Sequence, residues 1–239
     1  MKKTYFLLAA AFLVLSAFKA TAPLLKYEHF KSIKVPEPSD IAFDGSGQVL
    51  YVVSDNGILY ECTPEGKVLR RAAFEGMDFE GVEVVGDYIY VADESLRQVH
   101  RFDREHLKKD KTWYVPYSGG RNKGYESLAF NRTTERFVLI TEKDPIVIKE
   151  LNGDFIPVNE YAFTAARDIS GARYHNGYMY LLSDEDRKVF MCHPETYEVI
   201  KSWKIEVLNP EGIAFDKDGR LVIAADDLER LYFFGSLPQ

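Results

Sequence analysis

Carboxylates recur at regular intervals along this 239-residue chain, and they are the groups whose spacing best suggests chemistry. Each recurrence opens a short apolar run, as in residues 211–215 (EGIAF). The residue before the run, here called the anchor, repeats about every 41 to 46 positions, a period typical of propellers or solenoids. The five anchors are Ser39, Glu80, Glu126, Ser170 and Glu211. Where the anchor is serine, a carboxylate stands two residues earlier, at Glu37 and Asp168.

Converging carboxylates repel one another unless protons, basic side chains or a metal neutralise them. Carboxylate, serine and carbonyl oxygens without histidine are a ligand set for a hard cation such as calcium. The sequence therefore predicts a calcium site with the ligands Glu37, Glu80, Glu126, Asp168 and Glu211. A second interpretation stays open: these acids accept N–H bonds at turns or pair with basic side chains in a water-filled channel.

A second acidic series closes the second apolar segment of each repeat, at Asp55, Asp93, Glu142, Asp184 and Asp226. In three repeats an arginine follows three or four positions later, across a tight turn. This spacing favours structural bridges that brace the turn, and both partners of such a partly buried pair are needed. The predicted bridges are Asp93–Arg97, Asp184–Arg187 and Asp226–Arg230.

The elements that carry these acids are strands. The first repeat contains four β-rich segments separated by turn residues: 41–43, 48–53, 58–62 and 67–74. The fifth repeat lacks its fourth segment, and residues 27–35 supply one strand that belongs to no repeat. Pairing the two closes a ring and removes exposed strand edges. We therefore predict an all-β, five-bladed β-propeller of four-stranded antiparallel blades, whose last blade is completed by the N-terminal strand.

The predicted domain covers residues 26–239. Its blades are 36–76, 77–120, 123–166, 167–207, and 209–234 together with 27–35. In the ring the first strands line a central channel, so the anchors converge on one mouth. Cys62 and Cys192 fall at the same position of the first and fourth repeats. Those blades are not neighbours, so we predict two free core thiols.

Residues 1–22 have the pattern of a secretory signal: Lys2 and Lys3, an apolar run over 5–18, and an Ala20-Thr21-Ala22 cleavage sequence. Pro23 disfavours cleavage, so a retained anchor stays open as an alternative. The apolar run is too short to span a bilayer. We predict an exported protein, periplasmic or extracellular and, if the segment is retained, membrane-tethered. The formal charge of −7 argues against nucleic acid as a partner.

Residues 37–43 (EPSDIAF), 211–215 (EGIAF) and 51–56 (YVVSDN) resemble the SdiA-regulated family of exported bacterial β-propellers, and residues 90–103 are similar to an NHL repeat. The resemblance covers residues 27–234 and implies a five-bladed propeller with bound calcium. It implies site roles for the anchor glutamates Glu80, Glu126 and Glu211, whereas Ser39 and Ser170 depart from the glutamate anchor.

The sequence contains neither a G-x-S-x-G nucleophile motif nor an H-E-x-x-H zinc motif, and its five histidines are scattered. We therefore predict a monomeric, calcium-binding module that binds a protein or small-molecule ligand at the channel mouth. The alternative is a calcium-dependent hydrolase of lactones or phosphate esters, because several exported propellers of similar architecture use a channel calcium as a Lewis acid. Asp78 or Asp168 would then be the base.

Overall fold

The computed structural model describes residues 22–117 and 124–238. Residues 1–21 of the predicted signal lie outside this range, as do residues 118–120 at the end of the predicted second blade. Two strands precede the repeats: β1 (Leu24–Leu25) and β2 (Tyr27–Ser32). None of the described residues forms a helix with the length and apolarity needed to cross a membrane.

Each repeat forms one antiparallel sheet whose strands follow chain order. Blade one contains β3 (Pro38–Phe43), β4 (Leu50–Ser54), β5 (Ile58–Cys62) and β6 (Val68–Glu75). Blade two contains β7 (Phe79–Val85), β8 (Tyr88–Asp93), β9 (Gln98–Asp103) and β10 (Lys109–Tyr114). Blade three contains β11 (Tyr125–Asn131), β12 (Arg136–Thr141), β13 (Val147–Leu151) and β14 (Pro157–Ala162).

Blade four contains β15 (Gly171–His175), β16 (Tyr178–Ser183), β17 (Lys188–Cys192) and β18 (Val199–Ile205). Blade five contains β19 (Pro210–Phe215), β20 (Arg220–Ala225) and β21 (Arg230–Ser236). The predicted closure is confirmed, because β2 pairs antiparallel with β21 as the fourth strand of blade five. A feature that the sequence did not predict is β1, which pairs parallel with β18 and adds a fifth strand to blade four.

The ring closes around the first strands of the blades. Each first strand contacts the first strand of the next blade, including β19 with β3. The approach is tight at Gly171, where an added Cβ would lie 2.6 Å from the Glu211 carbonyl oxygen. Side chains on strands this close to the axis must be small or must find polar partners.

The core lies between the blades rather than at one centre. In the described part of the chain, each pair of adjacent blades encloses one cluster of buried apolar side chains. The inner strands are therefore buried on both faces, as in β4, whereas the outer strand β2 is exposed along its length. Cys62 and Cys192 belong to different clusters and are free thiols, as predicted.

Candidate metal centre

Most of the anchor residues are β-bulges. The pairing of first and second strands shifts register at Ser39, Glu80, Glu126 and Glu211. A bulge places one extra residue in a strand and re-aims its side chain. The fifth anchor, Ser170, directly precedes β15 instead. The bulges turn the anchors toward the channel mouth, where the anchor glutamates meet.

Four of the five anchors, all but Ser39, open onto a cavity of about 270 Å³, here called the acidic cavity. Nine carboxylates and one serine line it, and no basic side chain does so in the part of the chain that the structure describes. From the anchor positions come Glu80, Glu126, Ser170 and Glu211. From the residues that follow the second strands come Asp55, Glu94, Glu142, Asp184 and Asp226, and Asp168 completes the set.

Four of the five predicted metal ligands line this cavity together, namely Glu80, Glu126, Asp168 and Glu211. Glu37 does not. Its side chain is exposed and accepts a hydrogen bond from Asn56 Nδ2 at 2.7 Å. The prediction assumed that residues two apart in a strand point the same way. This rule fails here because Glu37 precedes β3 with a left-handed backbone conformation (φ 47°) and Ser39 is a bulge.

Asp168 lines the cavity, but its carboxyl group already accepts several hydrogen bonds. It accepts a hydrogen bond from Ser183 Oγ at 2.5 Å and others from the backbone N–H groups of Asp184 and Glu185. These donors hold the Asp168 carboxyl group in place without a metal. Asp168 therefore acts first as a brace between the entry to blade four and the turn after β16.

Glu94 is the cavity residue that sequence reasoning missed. The acidic series assigned Asp93 to blade two, but Asp93 pairs with Phe79 inside the sheet, and the next residue faces the cavity. The sequence does contain a signal that points to Glu94, namely the tyrosine of the second strand. Counting four residues from Tyr51, Tyr90 and Tyr180 leads to Asp55, Glu94 and Asp184. Glu94 is buried and accepts the Gly124 N–H at 2.7 Å, which links blades two and three.

The arginine bridges Asp93–Arg97, Asp184–Arg187 and Asp226–Arg230 stay predictions. Asp93 accepts N–H bonds from Met77 and Leu96 and lies 3.6 Å from His100 Nε2. These bonds connect the turn after β8 to the entry of the same blade.

Burial raises the pKa of Asp184, and the charge of nearby Arg187 partly opposes this effect. Asp184 and Asp226 line the acidic cavity. Arg187 has a left-handed backbone conformation (φ 46°) at the end of its turn. The Arg230 guanidinium lies 4.3 Å above the Phe30 ring on the outer strand.

Crowding in the acidic cavity favours protonated carboxyls. Burial, with the charge of neighbouring acids, raises the pKa of Glu80 and of Glu126 well above their ordinary values. The same causes raise the pKa of Glu211 to about 8 and that of Asp226 to about 6. Without a bound cation, the cavity therefore holds protons at neutral pH.

Three carboxylates are close enough to share one metal ion. Oxygens of Asp78, Glu80 and Glu94 all lie within 4.8 Å of one another. Calcium takes oxygen ligands at about 2.3–2.6 Å, and two ligands of one ion can be about that far apart. The donor set contains only oxygen, so the residues fit calcium better than zinc or copper. Asp78 also accepts a hydrogen bond from Ser95 Oγ at 2.7 Å, which orients it.

Further along the first strands, Arg173 blocks the channel. Its guanidinium contacts Glu83 at 2.9 Å and Asp40 at 3.1 Å, and all three side chains are buried. Arg173 also donates to the carbonyl oxygens of Ile41, Val82 and Ile213. The acidic cavity is thus a pocket with a closed floor rather than the end of an open pore.

Solved structures support the architecture. The glutaminyl cyclase of Myxococcus xanthus matches with a TM-score of 0.71 at 14% identity, over 88% of this chain and 97% of that one. The Cps50 (Swd1) β-propeller domain of Myceliophteria thermophila matches with a TM-score of 0.52 at 14% identity, over 82% of this chain and 64% of that one. Such identities show the fold alone.

A family model assigns the chain more closely. The model described as SdiA-regulated matches residues 25–234. The match begins with β1 and ends within β21, so it takes in every blade and the closing strand. This chain belongs to the SdiA-regulated family.

Proposed function

We propose that this protein is an exported calcium-binding β-propeller whose acidic channel mouth binds a ligand or a partner protein at the cell envelope. The observation that carries the proposal is the convergence of nine carboxylates on one cavity with no basic side chain in its described lining. Such a cavity needs protons or a cation, and a divalent ion that displaces protons couples binding to pH. The signal pattern of residues 1–22 supports export.

Calcium itself is assigned to Asp78, Glu80 and Glu94, with Glu126 as a neighbour that can complete the coordination. The clustered oxygens of the first three residues support this assignment. A bound ion would present a positive charge to the acidic cavity, which Glu80 and Glu94 line. The structural similarity to the glutaminyl cyclase does not indicate an activity for this chain, because one fold carries many functions.

Calorimetric titration with calcium tests the proposal. We expect saturable binding to the purified protein, weakened about tenfold or more in Glu80→Gln and in Glu94→Gln, since affinity follows the number of charged ligands. Glu37→Gln is the matched control, because Glu37 was a predicted ligand whose exposed side chain bonds Asn56 instead. Absence of binding, or equal loss in all three variants, would exclude this metal centre.

A calcium-dependent hydrolase is the second candidate, and the position of Glu211 favours it. Glu211 lines the same cavity as Glu80 and Glu94, and burial raises its pKa to about 8. A carboxyl of that pKa suits proton transfer near neutral pH. As carboxylate, it would accept a proton from water while the water oxygen attacks the carbonyl or phosphorus. The ester C–O or P–O bond breaks, and the leaving oxygen receives that proton. Asp78 belongs to the metal group and Asp168 already accepts hydrogen bonds from three donors, so neither predicted base remains favoured.

A turnover assay separates the two candidates. Hydrolysis of a lactone or a phosphate ester should require calcium, stop with chelator and be lost in Glu211→Gln while calcium binding is retained. Binding of calcium without any turnover would support the binding module alone.

A further inference from the structure

A second cavity lies between blades four and five and shares no lining residue with the acidic cavity. Its volume is about 490 Å³. We call it the aromatic cavity and define it by His175, Tyr178, Tyr180, Trp203 and Phe215. The C-terminal residues 236–238 lie along one side of it.

Three rings form one continuous wall of the aromatic cavity. His175 stacks on Phe215 with centroids 4.1 Å apart and an angle of 9°. Tyr180 meets the same phenylalanine at 4.7 Å and 57°. Trp203 is buried, with 1% of its surface exposed, whereas Tyr178 is 38% exposed and lies at the rim. The strands β15, β16, β18 and β19 carry these residues, so the wall is built on rigid elements.

The electrostatics of this lining favour a cation. No lysine or arginine belongs to the described lining, and aromatic faces carry negative potential. Burial lowers the pKa of His175, so its ring is neutral at pH 7 and adds no positive charge. Asp218 contributes a carboxylate, although it shares its charge with Arg220 at 3.4 Å and Lys217 at 3.6 Å. The ring faces therefore contribute more to selectivity than Asp218 does.

The protein already places one cation against this lining. The Lys201 ammonium lies 5.3 Å from the Trp203 ring centroid and donates a hydrogen bond to the Pro238 carbonyl oxygen at 2.9 Å. The indole therefore takes part in a cation–π contact within the fold. Lys201 lies outside the lining, and its contact holds the C-terminal segment beside the cavity.

We propose that the aromatic cavity binds a small organic cation with an apolar body, such as a quaternary ammonium compound. The cavity has the size of small-molecule sites, about 300–1,000 Å³, and is far larger than a bare metal ion requires. Aromatic walls compensate a quaternary ammonium, which cannot donate hydrogen bonds, better than carboxylates do. The proposal is independent of calcium, because the two cavities share no lining residue.

Trp203 supplies the reporter for a test. The chain contains two tryptophans, and Trp113→Phe leaves Trp203 as the single one. Choline and its uncharged isostere 3,3-dimethyl-1-butanol are titrated in the presence of chelator while Trp203 fluorescence is recorded. We expect a saturable change with choline and at least about fivefold weaker binding of the isostere. No saturable change, or equal affinity for the two compounds, would overturn the proposal.

Variants at Tyr178 separate ring chemistry from shape. Tyr178→Phe keeps the ring and should retain choline binding, whereas Tyr178→Leu should weaken it about threefold or more. Tyr178 is at the rim, so neither change removes core packing. Tyr88→Leu is the matched control, because Tyr88 opens the second strand of blade two as Tyr178 opens that of blade four. Equal weakening by Tyr178→Phe and Tyr178→Leu, or by Tyr88→Leu, would contradict the aromatic site.

Discussion

Neighbouring carboxyl groups of the acidic cavity affect one another's pKa. Burial raises the pKa of Glu94. Burial and the charge of Glu94 raise the pKa of its neighbour Glu126 well above the ordinary value. Two such groups side by side favour sharing a proton over carrying two charges. A cation that binds here must displace protons, so affinity for calcium should rise with pH.

The metal-free protein should lose stability as pH rises. Glu211 has a pKa of about 8 in the folded protein against 4.5 for the free group, so the folded state keeps a proton that the unfolded chain releases. Its contribution is complete below about pH 4.5, falls as the pH rises, and levels off above about pH 8. The loss is at most about 5 kcal/mol, since each pKa unit corresponds to about 1.4 kcal/mol.

Urea unfolding at a series of pH values, with chelator present, measures this dependence. Glu211→Gln removes one titrating group, so its stability should fall less steeply between about pH 5 and 8. Parallel curves for the variant and the wild type would show that Glu211 does not hold the proton.

At the scale of strands, the sequence predicts most of the blades, because alternating turn residues and β-rich segments recur at one period. The predicted segment 58–62 is β5 itself, and 48–53 overlaps β4. The bulges leave no comparable signal, since a glutamate in a bulge looks like any polar strand residue. Because the bulges leave no signal, the sequence predicted the exposed Glu37 as a metal ligand and assigned Asp93 instead of Glu94 to the acidic series. The strand β1 has two residues, too few for any periodicity.

The closing strand should be essential to the fold. A chain that lacks residues 1–32 loses β1 and β2, which exposes the edge of β21 and removes the contact of Tyr27 with Tyr232, whose ring centroids are 5.0 Å apart. Unpaired edges promote association between chains. We expect aggregation and loss of a sharp thermal transition, measured by size-exclusion chromatography and calorimetry.

The matched control lacks residues 1–22 and keeps both strands. It should remain monomeric with a cooperative transition. If the two truncated chains behave alike, ring closure by β2 contributes little to stability.

At the scale of the molecule, Arg173 connects all five blades. From blade four it contacts Asp40 and Glu83 of blades one and two and the Ile213 carbonyl of blade five, and Glu83 accepts the Phe130 N–H of blade three. Sequence analysis could not find this group. Its ion-pair partners are 90 and 133 positions away, and only closure of the ring brings them together. Closure of the ring was itself predictable from the sequence, because the last repeat lacks one strand and one unassigned strand precedes the first repeat.

Arg173→Met should destabilise the whole ring. The variant leaves Glu83 and Asp40 buried beside each other, and breaking a buried ion pair costs about 3–5 kcal/mol. Burial already raises the pKa of Asp40 to about 7 despite Arg173, so without the arginine Asp40 should protonate. We expect the melting temperature to fall by about 6–20 °C.

Two further variants show whether the loss comes from charge. Arg220→Met breaks an exposed pair with Asp216, in which the arginine is 52% exposed, and should cost no more than about 1 kcal/mol. Arg173→Met combined with Glu83→Gln removes one of the two carboxyl groups left without the arginine and should recover part of the lost melting temperature, because a neutral amide still accepts an N–H bond. If Arg173→Met costs no more than Arg220→Met, the buried group does not hold the blades together. If the double variant recovers nothing, the loss comes from packing and from the lost hydrogen bonds of Arg173 to three carbonyl oxygens.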